Sequence, residues 1–104
     1  MVTEMVVIPK GTHNVLRRLT GQSRPDIALS LAIKELVRSR TKEIQAQIAS
    51  FETKYGMNFS EFEKACDDGR VKDPFSYEVE KDDFEWEAAI TDLAVLEEIS
   101  QWQV

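Results

Sequence analysis

The stretch "TGQSRPDIALSLAIKELVRS", residues 20–39, decides how the rest of the chain is read. Gly21, Ser23 and Pro25 are the vocabulary of a turn that opens into a helix: a glycine for left-handed backbone, a serine to accept from orphan N–H groups, a proline for the first turn. Ser23 is the expected cap, with Asp26 three residues on in capping-box geometry. "IALSLAI" is then apolar on most helical faces, whereas a surface helix carries one apolar stripe. Such a segment predicts cover on several sides. The helix is expected to run from about residue 24 to Tyr55, where Gly56 stops it. Val37, Ile44, Ile48, Phe51 and Tyr55 follow at spacings of 7, 4, 3 and 4, a single stripe. The second half of the helix should therefore lie on one surface or pair with another helix.

Upstream, "EMVVI" (4–8) is short, β-branched and bounded by Pro9 and Gly11, so it reads as a strand. A lone strand leaves its backbone groups unpaired, which predicts a partner strand, most simply from a second chain. "THNVLRRLT" (12–20) reads as a short helix capped by Thr12 or Asn14, with Val15, Leu16 and Leu19 as apolar contacts and Gly21 at its end. Downstream, "NFSEFEKACDDG" (58–69) is a short helix opened by Asn58 or Ser60, with Glu63 closing a box on Ser60. "RVKDPFSYEVEK" (70–81) reads as loop or extended arm. A last helix is expected from Asp82 or Asp83 to about Ser100, apolar at Trp86, Ala89, Ile90, Leu93 and Leu96, with Glu85, Glu87, Asp92 and Glu97 toward solvent. The fold class is thus mainly α: a short N-terminal strand, a short helix, a long central helix and two C-terminal helices.

A chain of 104 residues with 42% apolar content is one domain, or a small domain with an arm, and its modest core invites a partner chain. The net charge of −6 is unevenly distributed. Residues 1–50 hold eight basic groups against four acidic ones, +4; residues 51–104 hold five against fifteen, −10. The asymmetry suggests a basic N-terminal region (1–50) for dimerisation and a polyanion, and an acidic C-terminal region (51–104) for a basic partner. No run of 18 apolar residues predicts a membrane span, and "MVTEMVVIPKG" lacks the basic flank and apolar core of a signal peptide. The one cysteine, Cys66, has no internal disulfide partner, and a reducing cytoplasm is the expected home.

Catalysis and cofactors are not expected. His13 is the only histidine and Cys66 the only thiol, and Asp67 and Asp68 beside it disfavour a thiolate. The acidic residues Asp67, Asp68, Asp73, Glu78, Glu80, Asp82 and Asp83 lack the alternation around a central glycine that a calcium loop needs. The basic positions are the better lead: Lys10, His13, Arg17 and Arg18 lie between strand and short helix, and Arg24 sits at the mouth of the next helix. Backbone N–H groups at helix N-termini bind phosphates as well.

The order strand, short helix, Gly-x-Ser turn and helix apolar all round resembles the ribbon-helix-helix DNA-binding proteins. The resemblance implies a homodimer whose paired strands enter the major groove and whose second helices pack in a shared core, covering "IALSLAI". Neither face of the strand, Thr3/Met5/Val7 or Glu4/Val6/Ile8, offers many donors for base edges, so contact would rest mainly on phosphates. A second resemblance covers residues 51–96. Tyr55-Gly56-Met57, Tyr77 to Glu80 and Glu85-Trp86-Glu87 together are similar to the ending of small prokaryotic antitoxin-like proteins encoded beside toxins. It implies an acidic region that neutralises a basic, nuclease-like protein toxin. Phe75, Tyr77, Phe84 and Trp86 would anchor it, Glu78 and Glu80 would steer, and the N-terminal region would repress its own operator. The alternative is a helical protein-interaction module with no DNA role, in which Trp86, Phe84 and Leu93 complete a helical hairpin.

Overall fold

A computed structural model describes residues 7–101. The described chain is mainly helical, in the order α1 (Lys10–Thr20), α2 (Pro25–Tyr55), α3 (Phe59–Asp67) and α4 (Tyr77–Ser100). The residues group into two compact units, one up to Leu36 and one from Val37 on. The expected strand at 4–8 falls partly outside the described residues; Val7 and Ile8, which are described, form no strand, nor does any other described residue.

In the first unit α1 begins two residues before the expected position. Pro9 holds the cap position without a side-chain hydrogen bond, so neither Thr12 nor Asn14 caps it. Pro9 offers its carbonyl to the His13 N–H at 3.0 Å. The helix ends as expected: Gly21 takes φ 74°, and its N–H donates to the Arg17 carbonyl at 2.8 Å. That left-handed turn costs a glycine little and satisfies a carbonyl at the helix end.

The entry to α2 differs from the Ser23 capping box. The Ala28 N–H donates to the Arg24 carbonyl at 2.9 Å, which makes Arg24 the half-in residue and Pro25 the first helical one. Proline fits there because the first turn needs no N–H from it. The Ser23 carbonyl instead receives the His13 Nε2 at 2.9 Å, so the imidazole ties α1 to the turn before α2. Among the described residues of this unit only Ala28 is buried, and α1 buries none. Leu31, Ile33 and Leu36 stay exposed, Leu36 at 62% and Leu19 of α1 at 78%. Two helical pieces of this length cannot close a core on their own.

The second unit does close one. Phe51, Phe62, Ala65, Val71, Val79 and Trp86 are buried together, with Ile48, Tyr55, Met57, Phe59 and Cys66 packed against them. The stripe expected on α2 is the one used, with Ile44 and Phe51 buried. Gly56 ends α2 at φ 68°. Asn58, one of the two expected caps, opens α3 with a complete capping box, and its partner is Glu61, two residues before the expected Ser60–Glu63 pair. Residues 70–76 are the only loop of the expected arm; Ser76 caps α4 by accepting from the Val79 N–H, so "YEVE" is the first turn of that helix. Val71 plugs the loop into the core, held by its N–H bond to the Ala65 carbonyl at 3.2 Å.

Trp86 is the centre of this packing. It has no exposed surface, and its ring lies 5.1 Å from Phe62, 5.3 Å from Phe59, 5.5 Å from Phe51 and 6.0 Å from Tyr55. Such ring pairs add stabilisation beyond area burial, about 0.5–1.5 kcal/mol each. The indole Nε1 finds no hydrogen-bond partner in this enclosure.

Candidate functional site

Two surfaces, one in each unit, carry the side chains singled out from the sequence. On α1, Lys10, His13 and Arg17 stand at i, i+3 and i+7 and so share one helical face, with Arg18 beside it. Lys10, Arg17 and Arg18 are exposed. The apolar residues Val15, Leu16 and Leu19 fall on the opposite side of the same helix. His13 is half-buried, and its Nε2 is engaged by Ser23. Arg24 is exposed and pairs with Asp26 at 2.9 Å, a contact worth little in water. Arg17 and Arg18 occupy the last turn of α1, where the helix dipole favours cations.

On the second unit, Phe75, Tyr77 and Phe84 are exposed at 85%, 81% and 75%. A large aromatic held in water at that level has no role in its own core. Glu80 is exposed as well. Glu78 is exposed but leans on its own chain, accepting from Lys54 Nζ at 2.8 Å. Trp86 leaves this group: it is sealed in the core because it lies on the face of α4 that meets α2 and α3. α4 carries nine carboxylates and one lysine, so the exposed rings sit in a strongly negative field.

Polar geometry pins α4 from beneath. Asp82 is the one buried charged residue among those described. Its Oδ2 accepts from Lys54 Nζ at 2.5 Å and from the Tyr55 hydroxyl at 2.6 Å. Burial pushes the Asp82 carboxyl up, but those two donors outweigh it and hold the group below the ordinary carboxylate value. Tyr55 is pushed up to about 12, by burial first and then by its bond to Asp82. The Lys54 ammonium is raised by its bonds to Asp82 and Glu78.

A further cluster was not visible in the sequence. Glu63 of α3 and Asp83 and Glu87 of α4 bring one carboxylate oxygen each within 4.8 Å of one another. The three are separated by up to 24 positions and meet only because α3 packs on α4. Burial raises the Glu63 carboxyl, and Asp83 adds to the effect, followed by Glu87 and Asp67. A proton on Glu63 would supply the donor that the buried Asp83 Oδ1 lacks. The spacing suits a hard cation too, although exposed acidic groups meet in this way without one. Burial, then Asp83, Glu63 and Asp67, push the neighbouring Cys66 thiol up, which disfavours a nucleophilic thiolate.

Comparison of the chain with known protein families, curated proteins and solved structures gave no match. Among the described residues no helix is long and apolar enough to cross a membrane.

Proposed function

We propose that the chain is an antitoxin-like protein with two partners, operator DNA for its basic N-terminal region and a basic, nuclease-like toxin for its acidic C-terminal region. The observation that carries this reading is the segregation of chemistry by unit. Exposed cations occupy α1 in one, while exposed aromatics in a field of carboxylates occupy the loop and α4 in the other.

In this reading Lys10, Arg17 and Arg18 neutralise phosphates, Arg24 exchanges Asp26 for a phosphate, and His13 positions the turn between the helices. Two chains associate through residues 27–36, as in a ribbon-helix-helix dimer, and bury Leu31, Ile33 and Leu36. In that dimer the segment 4–8 would pair with its copy as the ribbon. Phe75, Tyr77 and Phe84 insert into the toxin, Glu80 raises the rate of encounter, and Glu78 contributes once released from Lys54. Trp86 supports that surface from inside.

The test is binding to DNA from immediately upstream of the gene across a salt series, together with growth rescue on co-expression with the adjacent gene. A dimer that loses DNA with a slope of about −0.9 per neutralised phosphate in log–log terms supports the reading. Absence of DNA affinity at every salt concentration leaves the helical interaction module instead. Growth arrest that this chain does not relieve removes the antitoxin assignment.

A further inference from the structure

The outer face of α4 has a pattern of its own. Tyr77, Lys81, Phe84, Ala88, Thr91 and Val95 recur at alternating spacings of 4 and 3, the period of a coiled-coil seam. All six are exposed. A second seam, Val79, Asp82, Trp86, Ala89, Leu93 and Leu96, runs along the opposite side of the helix and is buried or half-buried on the core. α4 is therefore a helix with one seam used and one open, the open one spanning about 27 Å at 1.5 Å per residue.

The residues flanking the open seam identify what fits it. Glu78, Glu85 and Asp92 line one side at intervals of seven. Glu80 and Glu87 line the other at the same interval. Between residues 78 and 92 every flanking position of the heptad is thus acidic. Two of the five have local cations: Lys54 reaches Glu78 at 2.8 Å, and Lys81 lies 3.6 Å from Glu85. A second copy laid on this face would set carboxylate against carboxylate along both flanks, and a nucleic acid would meet the same field. A helix with an apolar seam and Lys or Arg at its flanks meets complementary charge at each position.

We propose that the outer face of α4 docks an amphipathic basic helix of a partner protein, seated on Tyr77, Phe84, Ala88 and Val95. This deepens the reading of residues 51–104 as the toxin-binding region and names the partner's recognition element. The aromatic rings give the seat its register; the acidic flanks disfavour a second copy on this face.

The test uses the full chain and three synthetic 21-residue peptides: one with a leucine seam and Lys flanks, one with the same seam and Glu flanks, and a permutation of the first without a seam. The Lys-flanked peptide should bind, and Tyr77→Ser with Phe84→Ser should weaken it by at least about tenfold. Glu80→Lys, Glu87→Lys and Asp92→Lys together should reverse the preference toward the Glu-flanked peptide. Equal binding of the permuted peptide, or unchanged affinity in the Tyr77/Phe84 variant, would overturn the proposal. So would light scattering in which that variant dissolves a self-assembly of the parent, because the occupant would then be a second copy. Toxin rescue that survives in the Tyr77/Phe84 variant removes the α4 inference alone. Peptide binding as expected without any toxin rescue removes the antitoxin reading alone.

Discussion

Asp82 keeps its negative charge inside the second unit because two donors from adjacent residues, Lys54 and Tyr55, converge on one of its oxygens. Its folded pKa is depressed, so its contribution to stability is present above the unfolded carboxylate value and is lost as pH falls through the folded one. Asp82→Asn should therefore destabilise the chain at pH 7 by about 1–3 kcal/mol, and the gap to the parent should close below about pH 4, read by urea denaturation across pH. Glu63 has the opposite sign. Its folded pKa is raised, so its stabilising contribution is full below the unfolded value and is lost as pH rises through the folded one. Glu63→Gln should raise the melting temperature at pH 7 by relieving repulsion from Asp83, Glu87 and Asp67, and give no gain near pH 3. A lower melting temperature for the variant at pH 7 would contradict this account of the cluster. Trp86→Ala should cost about 3–5 kcal/mol by the cavity it leaves. Trp86→Phe should cost clearly less, since it also removes an unpartnered N–H.

At the scale of elements, the helices were legible wherever a local signal was unambiguous. Gly21 and Gly56 end their helices with positive φ, as their positions imply. The alternation of 3 and 4 along Ile44, Ile48, Phe51 and Tyr55 survives as the packed stripe of α2. The start of α4 was less legible, because Pro74 and the mixed polarity of residues 70–81 resemble an arm. The deciding signal was Ser76, a capping residue followed by Glu78 and Glu80 in the first turn, where carboxylates favour the helix dipole. The box of α3 is the testable case of competing caps. Asn58→Ala should destabilise by about 1 kcal/mol, whereas Ser60→Ala, inside the helix, should be close to neutral. Equal losses at both positions would return the cap to Ser60.

For the molecule as a whole, the two units differ in what stabilises them. The second has a ring cluster and a buried Asp82 held by Lys54 and Tyr55; the first, among its described residues, has a single buried alanine. Amide hydrogen exchange should follow this difference, with α1 exchanging at least about tenfold faster than α3 and the middle of α4 in dilute solution. Protection of α1 that grows with protein concentration would report association through residues 27–36; uniform protection at high dilution would contradict it. The charge division between halves was readable from the sequence because it needs only counting. The carboxylate cluster was not, since it depends on which face of α4 meets α3; Trp86 was read both as part of the apolar face of the last helix and as a partner anchor, and its complete burial decides for the core. Phe84, which the hairpin alternative placed beside Trp86, is instead exposed, as are Phe75 and Tyr77.

The aromatic residues have one more consequence. All nine lie from Phe51 onward, so the first unit holds no tryptophan, tyrosine or phenylalanine. Fluorescence and near-ultraviolet dichroism are thus blind to the first unit. An unfolding curve followed by indole emission would track Trp86 and Trp102, both outside the first unit, and stay level while α1 unravelled, whereas far-ultraviolet ellipticity would register both units. Two curves that part company would make the division of the chain visible with no label attached.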